Sequence, residues 1–333
     1  MRKCTLVVLL SCAVLIPAAQ AADSSLLGLA PADSSVLIGI DVRQILQSDF
    51  GKLIAEQVAG PGHPEAQGFA AMAGFDPLRD LDEVLIAAPA KQNPNGLMLL
   101  RGHFDVAKVS QLAAMVGMKG ADYHGVQVMA KPGQAGGFSA MAVLDPTLVV
   151  AGDEAGVRAF VDRRGRAVNL NAAIAAKAGE MSKANGIWVL LNAAPATLVP
   201  QGANPGTAGK LLETIEQASF GVRFGPEIVL WAHAATHTAE DAEGMVGVVR
   251  FFTGMAAANQ TGNPQLAALL GKVKMDSEGN TAKLTLAIPE AEAEAAIRDA
   301  IAARMRAKEP EPEASPEPNE PSSPDPDAET PKE

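Results

Sequence analysis

The sequence predicts an α+β fold: a duplicated strand-helix-hairpin-helix-hairpin-helix unit with mainly antiparallel sheets and helices on one face. In residues 139–164, two short apolar runs flank the turn dipeptide Asp145-Pro146, and a helical pattern follows them. The same order of elements returns from Val273 to a helix that begins at Glu290. Apolar residues make up 48% of the chain, which is enough to bury a sizeable core.

The first predicted unit occupies residues 22–168. Asp105 is expected to cap a helix that ends at Gly117, and Asp153 is expected to cap the next one. A helix is also predicted after Asp41. The predicted strands are Val36–Ile40, Val84–Ala88, Leu97–Leu100, Tyr123–Ala130, Ala140–Leu144 and Leu148–Ala151, and a short helix is predicted at Glu65–Ala73.

The second predicted unit occupies residues 185–306 and follows a stretch, Arg166 to Asn185, whose pattern is too loose to assign. Thr238 is expected to cap its long helix, with Glu240 and Asp241 in the first turn. The other predicted elements are the strands Gly186–Asn192, Phe220–Phe224, Ile228–Ala232, Val273–Met275 and Ala282–Ile288 and the helices Lys210–Ala218 and Leu266–Leu270. The two units can form two domains or one continuous sheet.

The first 21 residues have the pattern of a secretory signal peptide. Arg2 and Lys3 precede an apolar run, and the small residues at 19 and 21 predict cleavage after Ala21. A lipoprotein signal processed at Cys12 is the alternative. Both cysteines lie in this segment, so disulfides and thiolate sites are not expected in the mature chain. The predicted location is the periplasm or the extracellular space.

Residues 307–333 predict a disordered acidic tail, because prolines and carboxylates alternate there without large apolar residues. The formal net charge of the whole chain is −11. This charge argues against nucleic acids and anionic lipid surfaces as partners. No membrane span is expected once the signal is removed, and the expected partner is an unknown protein of the cell envelope.

Three fragments carry a resemblance to known proteins: PADSSVLIGIDVRQILQSDFGKLI, GFDPLRDLDEVLIAAP and LVVAGDEAGVRAFVD. They resemble exported bacterial proteins of unknown function that contain repeated α+β units. The resemblance implies the fold and the export of the chain. It supplies no active-site residues, because the shared phrases are strand ends, helix caps and turns.

His233 and His237 have the H-x-x-x-H spacing that binds zinc when it occurs on a helix. Here Ala234 replaces the glutamate of a zinc protease, and the pair falls at the end of a predicted strand. Residues four apart in a strand lie about 13 Å from each other, which is too far for one metal ion. We therefore expect no metal site.

Other short motifs depart from the patterns that carry chemistry. Residues 204–211 resemble a phosphate loop but have Asn204 for the first glycine and Leu211 for the magnesium-binding hydroxyl. The glycines of residues 133–137 lack dinucleotide-binding spacing. Gly137-Phe138-Ser139 begins like a nucleophile elbow, but Met141 replaces its closing glycine. No catalytic residue and no cofactor are therefore expected.

Two charged clusters remain. Asp80 and Asp82 could act together as an acid and a base, although such runs are usually solvated loops. Arg163, Arg164 and Arg166 follow a predicted helix end, where cations are favoured by the helix dipole.

Three functions are consistent with these observations. The first is an exported non-enzymatic envelope protein, a protein-interaction or scaffold module that presents an exposed apolar patch or cleft. The second is a carrier of a small apolar ligand or lipid, which requires a cavity above about 300 Å³. The third is a hydrolase that uses Asp80 and Asp82.

Overall fold

The computed structural model describes residues 26–59, 75–90, 96–134, 137–166, 170–198, 206–259 and 264–308. The predicted helix Glu65–Ala73, the signal segment and the acidic tail lie outside these residues. The chain divides into two units, residues 1–294 and residues 295–333. Everything that follows concerns the first unit, apart from the end of the last helix.

The described residues form one open, twelve-stranded antiparallel sheet, so the α+β class and the antiparallel pairing are confirmed. The strand order is β11-β12-β10-β9-β8-β1-β2-β3-β7-β6-β5-β4. The strands are β1 (Val36–Asp41), β2 (Leu81–Ala88), β3 (Leu97–Gly102), β4 (Lys119–Tyr123), β5 (Val126–Ala130), β6 (Ala140–Asp145), β7 (Leu148–Gly152), β8 (Ile187–Leu191), β9 (Ile215–Arg223), β10 (Glu227–Thr236), β11 (Lys274–Glu278) and β12 (Thr281–Pro289).

The two predicted units share this one sheet, because β1 pairs with β8 at its centre. Outward from β1 the order is β2-β3-β7-β6, and outward from β8 it is β9-β10-β12-β11. The first half then continues with β5 and β4. A duplicated unit with an extra hairpin in the first copy would give this order, and the duplication itself stays a prediction.

The described residues also form ten α-helices and two short 3₁₀ turns. Aspartate caps begin several of them: Asp105 Oδ1 accepts from the amides of Ala107 and Lys108, and Asp153 Oδ1 from that of Gly156. The helices are α1 (Val42–Ile45), α2 (Asp49–Ala59), α3 (Pro77–Asp80), α4 (Val106–Met115), α5 (Glu154–Asp162), α6 (Ala172–Ala184), α7 (Gly206–Glu213), α8 (Ala239–Asn259), α9 (Pro264–Gly271) and α10 (Glu290–Lys308).

The helices lie on both faces of the sheet, whereas the sequence pattern placed them on one. Helices α5 and α6 cover the face that carries Leu37, Leu99 and Val150, which we call the core face. Helices α4 and α8 lie on the opposite face, which we call the groove face. The reason is that β3 and β7 are apolar on consecutive positions, so both of their faces require cover.

The core face holds the largest cluster of buried side chains. Val157, Phe160 and Val161 of α5 are buried against it, and α6 adds Ala178 and Met181. The C-terminal end of α6 is tied to the sheet by the buried Asn185. Its side chain donates to the Met181 carbonyl over 2.8 Å and accepts from Trp231 Nε1 over 2.8 Å.

Trp188 lies at the centre of the core face and is 2% exposed. Its cross-strand neighbour on β1 is Gly39, and a Cβ at that position would overlap the indole ring. The same arrangement recurs where Trp231 faces Gly221 across β9 and β10. Each glycine leaves the space in which an indole ring lies against the strand pair.

The prediction of one strand over Tyr123–Ala130 is wrong. These residues contain the turn of the β4–β5 hairpin, in which His124 has φ 52° and Gly125 has φ 76°. Two consecutive residues with positive φ are typical of a type I′ turn. The polar sequence Lys119-Gly-Ala-Asp-Tyr123 gave no apolar alternation, because β4 is the exposed edge strand.

One stretch that was left unassigned contains a helix, and one further assignment is wrong, each for an identifiable reason. The stretch Arg166–Asn185, which was too loose to assign, contains α6, a helix rich in alanine with little amphipathic pattern. The helix predicted at Lys210–Ala218 ends at Glu213, and Ile215 already belongs to β9. Ile215 falls inside the predicted helix, but it is one of the inward-pointing residues of a strand.

Gly39→Ala is expected to destabilise the protein by about 1–3 kcal/mol, because the added methyl group displaces the indole of Trp188 at the central strand pair. Urea unfolding followed by tryptophan fluorescence measures this change. Gly179→Ala in α6 is the control, because a Cβ there meets no atom within 4 Å and alanine favours helix. Equal stability of the two variants would contradict the role assigned to Gly39.

Candidate functional site: two apolar grooves on one sheet face

The first groove lies between α8 and the groove face and has a volume of about 310 Å³. We call it the α8 groove. Its floor crosses five neighbouring strands, β8, β9, β10, β12 and β11, and its wall is the N-terminal half of α8. The residues that line it are Val189, Leu191, Ala218, Ser219, Phe220, Ala232, His233, Ala234, Met245, Val246, Val249, Met275, Ala282, Lys283 and Leu284.

The α8 groove is apolar in its interior. Strand register places Ala218, Ala234 and Ala282 side by side across three strands, on the same face as Leu284 and Phe220. His233 and Lys283 alternate with these residues, so their side chains point to the opposite face. The charged groups of the lining residues therefore lie outside the groove.

The second groove lies between α4 and the groove face of the first half and has a volume of about 380 Å³. We call it the α4 groove. It too crosses five neighbouring strands in order, from Leu81 of β2 to Lys131 at the end of β5. Its other lining residues are Phe75, Leu100, Phe104, Val109, Leu112, Ala113, Val116, Met118, Met141 and Val149.

Each groove stays open because one helix cannot cover five strands. Five strands span about 19 Å at ~4.8 Å spacing, whereas a helix with its side chains is about 10–12 Å wide. In α8, Ala242, Met245 and Val246 are buried against the sheet, while Phe251 and Phe252 are 65% and 49% exposed. The C-terminal half of α8 therefore presents apolar surface instead of filling the groove.

A third recess, of about 420 Å³, adjoins the α8 groove. Val249 lines both, and Leu211 of α7 and Leu270 of α9 form the far side of the recess. Arg250 holds this part of α8 to the edge hairpin, since its Nη2 donates to the Met275 carbonyl over 3.0 Å. The apolar surface under and beside α8 is thus larger than the groove alone.

The histidines of the H-x-x-x-H motif are placed apart. His237 lies beyond the end of β10, where its Nδ1 is 2.9 Å from Glu216 Oε1, and this hydrogen bond raises the pKa of the imidazole. His233 lies within β10, where burial, followed by the charges of Lys283 and Lys177, lowers its pKa. In the described residues no group of three or more His, Cys, Asp or Glu side chains is arranged to hold a metal ion.

The two aspartates of the hydrolase hypothesis have different partners. Asp80 pairs with Arg79 over 2.8 Å, and Asp82 lies 3.5 Å from Arg43 of α1. Glu83, in the same run, is largely buried, and this burial raises the pKa of its carboxyl group. Asp80 and Asp82 are therefore paired with arginines of separate elements, α3 and α1.

The structure describes the loop motifs only in part. Residues 204–205 of the phosphate-loop resemblance and residues 135–136 of the glycine run lie outside the described residues. Ser139, in the elbow-like tripeptide, is 2% exposed. Phe138 beside it is 51% exposed.

The three arginines after α5 line a small recess of about 120 Å³ with Phe160 and Leu148. Burial lowers the pKa of Arg163, and its guanidinium carbon lies 5.3 Å from the centre of the Phe160 ring. Arg164 and Arg166 are exposed.

Sequence reasoning missed the grooves and Lys131. The lining residues are the ordinary apolar positions of strands and helices, and nothing in their spacing shows that a volume between them stays unfilled. Lys131 gave a weak signal, since it is a cation at the end of an apolar strand, between Ala130 and Pro132. Its position at the mouth of a groove depends on strand order.

No protein-family model matches the chain, and no curated protein matches it. Similar solved structures include two crystal forms of TP0453, a Treponema protein. Form III is 10% identical with a TM-score of 0.46, and the match covers 82% of this chain and 97% of that one. Form I is 8% identical with a TM-score of 0.42, and the match covers 82% and 96%.

None of the helices in the described residue ranges has both the length and the apolar character needed to cross a membrane.

The two histidines are expected to titrate on opposite sides of the ordinary value of about 6.5, His237 above it and His233 below it. Two-dimensional NMR of the imidazole groups measures both pKa values. In Glu216→Gln the pKa of His237 falls toward its ordinary value, because the carboxylate that stabilises the protonated ring is gone. A joint shift of both histidines on addition of Zn²⁺ would contradict the separate environments found for them.

Proposed function

We propose that the protein is an exported, non-enzymatic carrier that binds a small apolar ligand in the α8 groove. The observation that supports this most directly is the groove itself, an apolar volume of about 310 Å³ in which the charged side chains of the floor strands point away. Small-molecule sites are concave, mostly apolar and of about 300–1,000 Å³.

The dimensions of the groove favour an elongated ligand. A water-sized group occupies about 30 Å³ in a liquid, so the groove accommodates roughly ten such groups, comparable to a medium-length hydrocarbon chain. Met245 and Met275 stand on its walls, and methionine side chains adapt readily to ligands of different shape.

The groove is a more specific feature than an exposed surface. Most of its floor residues are half-buried in the described structure, among them Val189, Phe220 and Leu284. An apolar ligand would remove these residues from water. This stabilises the complex by about 25 cal/mol per Å² of apolar surface buried. This gain supplies the driving force for binding without a polar contact.

A second candidate function, the protein-interaction module, is favoured by the exposed end of α8. Phe251, Phe252 and Met255 are 65%, 49% and 44% exposed and follow one another along the helix. Exposed aromatic and methionine side chains in one place are typical of protein interfaces. This patch adjoins the recess beside the α8 groove, so the two functions are compatible.

Ala232→Leu is expected to weaken binding of a neutral apolar probe about tenfold or more, because the added side chain occupies the floor of the α8 groove. The measurement is a fluorescence titration with N-phenyl-1-naphthylamine, followed by its displacement with dodecanol. Ala287→Leu is the matched control, since it makes the same change on β12 but on the opposite sheet face.

The proposal fails if the unmodified chain does not bind the probe at micromolar concentration. It also fails if Ala232→Leu and Ala287→Leu bind the probe alike. Thermal unfolding of both variants checks that each is folded under the conditions of the titration.

The interaction module has a separate test. Native mass spectrometry of the protein released from its envelope fraction is expected to show a stoichiometric additional protein if this function holds. The double variant Phe251→Ser, Phe252→Ser should then lose that protein and keep its affinity for N-phenyl-1-naphthylamine. A bare chain in the unmodified sample argues against a stable protein partner.

A further inference from the structure

The α4 groove differs from the α8 groove in carrying a charged side chain on its own face. In β5, Met129 pairs with Met141 of β6, and residues of one strand alternate between faces. Lys131, two residues beyond Met129, is therefore on the groove face. Its backbone amide is held in place by a 2.9 Å hydrogen bond to the Ser139 carbonyl.

Lys131 stands at one end of the groove. From β2 to β5 the lining residues follow the strand order: Leu81, Leu100, Val149, Met141 and then Lys131. The opposite end holds the stacked rings of Phe75 and Phe104, whose centres are 5.5 Å apart. The groove thus has a wholly apolar end and a cationic end.

The ammonium group of Lys131 has no carboxylate partner among the ion pairs of the described residues. Six of the lysines and arginines of this half are placed differently. Arg43, Lys52, Arg79, Arg101, Lys108 and Arg158 each lie within 4 Å of a carboxylate. In a chain of net charge −11, a cation without a carboxylate at the mouth of an apolar groove is complementary to an anionic ligand.

We infer that the α4 groove binds a single-chain amphiphile with a carboxylate head group, a medium-chain fatty acid. The carboxylate lies at Lys131, and the hydrocarbon chain runs under α4 toward Phe75 and Phe104. At about 30 Å³ per water-sized group, 380 Å³ holds roughly a dozen methylene-sized groups. This inference extends the proposed carrier function to a second site and assigns it a ligand class.

Laurate and dodecanol are suitable probes, because they have the same chain length and differ in the charge of the head group. Calorimetric titration is done on the full chain carrying Ala232→Leu, which fills the α8 groove and leaves the α4 groove unchanged. Laurate is expected to bind more tightly than dodecanol. Val109→Phe, added to this background, is expected to weaken laurate at least tenfold, because Val109 lines the groove.

Lys131→Ala is expected to weaken laurate about fivefold, the effect of one partly exposed ion pair, and to leave dodecanol unchanged. Lys119→Ala is the charge control, since Lys119 lies on the exposed edge strand β4. Met115→Phe is the control for α4, since Met115 is 63% exposed and does not line the groove. Both controls should retain the affinity for laurate.

The inference is overturned if Lys131→Ala and Lys119→Ala weaken laurate equally, which would indicate general charge attraction. It is also overturned if Val109→Phe binds laurate as well as Met115→Phe does. Neither result depends on the neutral probe in the α8 groove. Loss of that probe alone would remove the carrier function proposed for α8 and leave the α4 site standing.

Discussion

The antiparallel pairing of β1 with β8 is the interaction on which the rest of the structure depends. Residues from Val36 to Ile40 pair with residues from Leu191 to Ile187, and this ladder alone joins the strands of the two halves into one sheet. A one-residue slip of one strand would move its side chains to the opposite face of the sheet. Trp188 fixes the register, because its indole fits only where a glycine, Gly39, lies across from it.

The common sheet determines where the grooves form. Since both halves extend from the same central pair, their face-covering helices α4 and α8 lie on the same side of the molecule, each beneath its own set of strands. Each helix is narrower than the apolar surface that it covers. The core face avoids this problem in the first half, because two helices, α5 and α6, share it with the N-terminal residues Leu26 and Leu27.

Local signals in the sequence were sufficient for the parts of the fold that depend on a few residues. The caps at Asp105 and Asp153 have the predicted hydrogen bonds, and Gly117 ends α4 with φ 86°. The hairpin around Asp145-Pro146 forms as expected. In these cases the conformation is set by one side chain or by the freedom of one backbone position.

The sequence was insufficient wherever the outcome depends on neighbours in space. Helix α6 has alanine at six of its thirteen positions and little amphipathic pattern, and it is recognised only by what it covers. Edge strand β4 is polar, because its first four residues are exposed. The grooves are the extreme case, because the sequence pattern of alanines, valines and methionines would be the same if the space between helix and sheet were filled.

The positions of charged side chains make the two grooves different chemical environments. Register sends His233 and Lys283 to the face opposite the α8 groove, so that groove has an apolar interior. In the first half, the alternation of β5 continues past Ala130 and places Lys131 on the groove face. A difference of one position in where a charge falls along a strand therefore decides whether a groove can discriminate a charged ligand from a neutral one.

An empty apolar volume of this size has a cost that bears on its purpose. As a closed cavity, 310 Å³ would destabilise the fold by about 7 kcal/mol at ~24 cal/mol per Å³. That is comparable to the whole stability of a typical domain, about 5–15 kcal/mol. Most of the lining residues are half-exposed, so the groove is open to solvent, which reduces this cost but leaves apolar walls in contact with water. A ligand that binds the folded chain removes that contact and stabilises the fold by mass action, so an unfilled groove and a carrier function are physically consistent with each other.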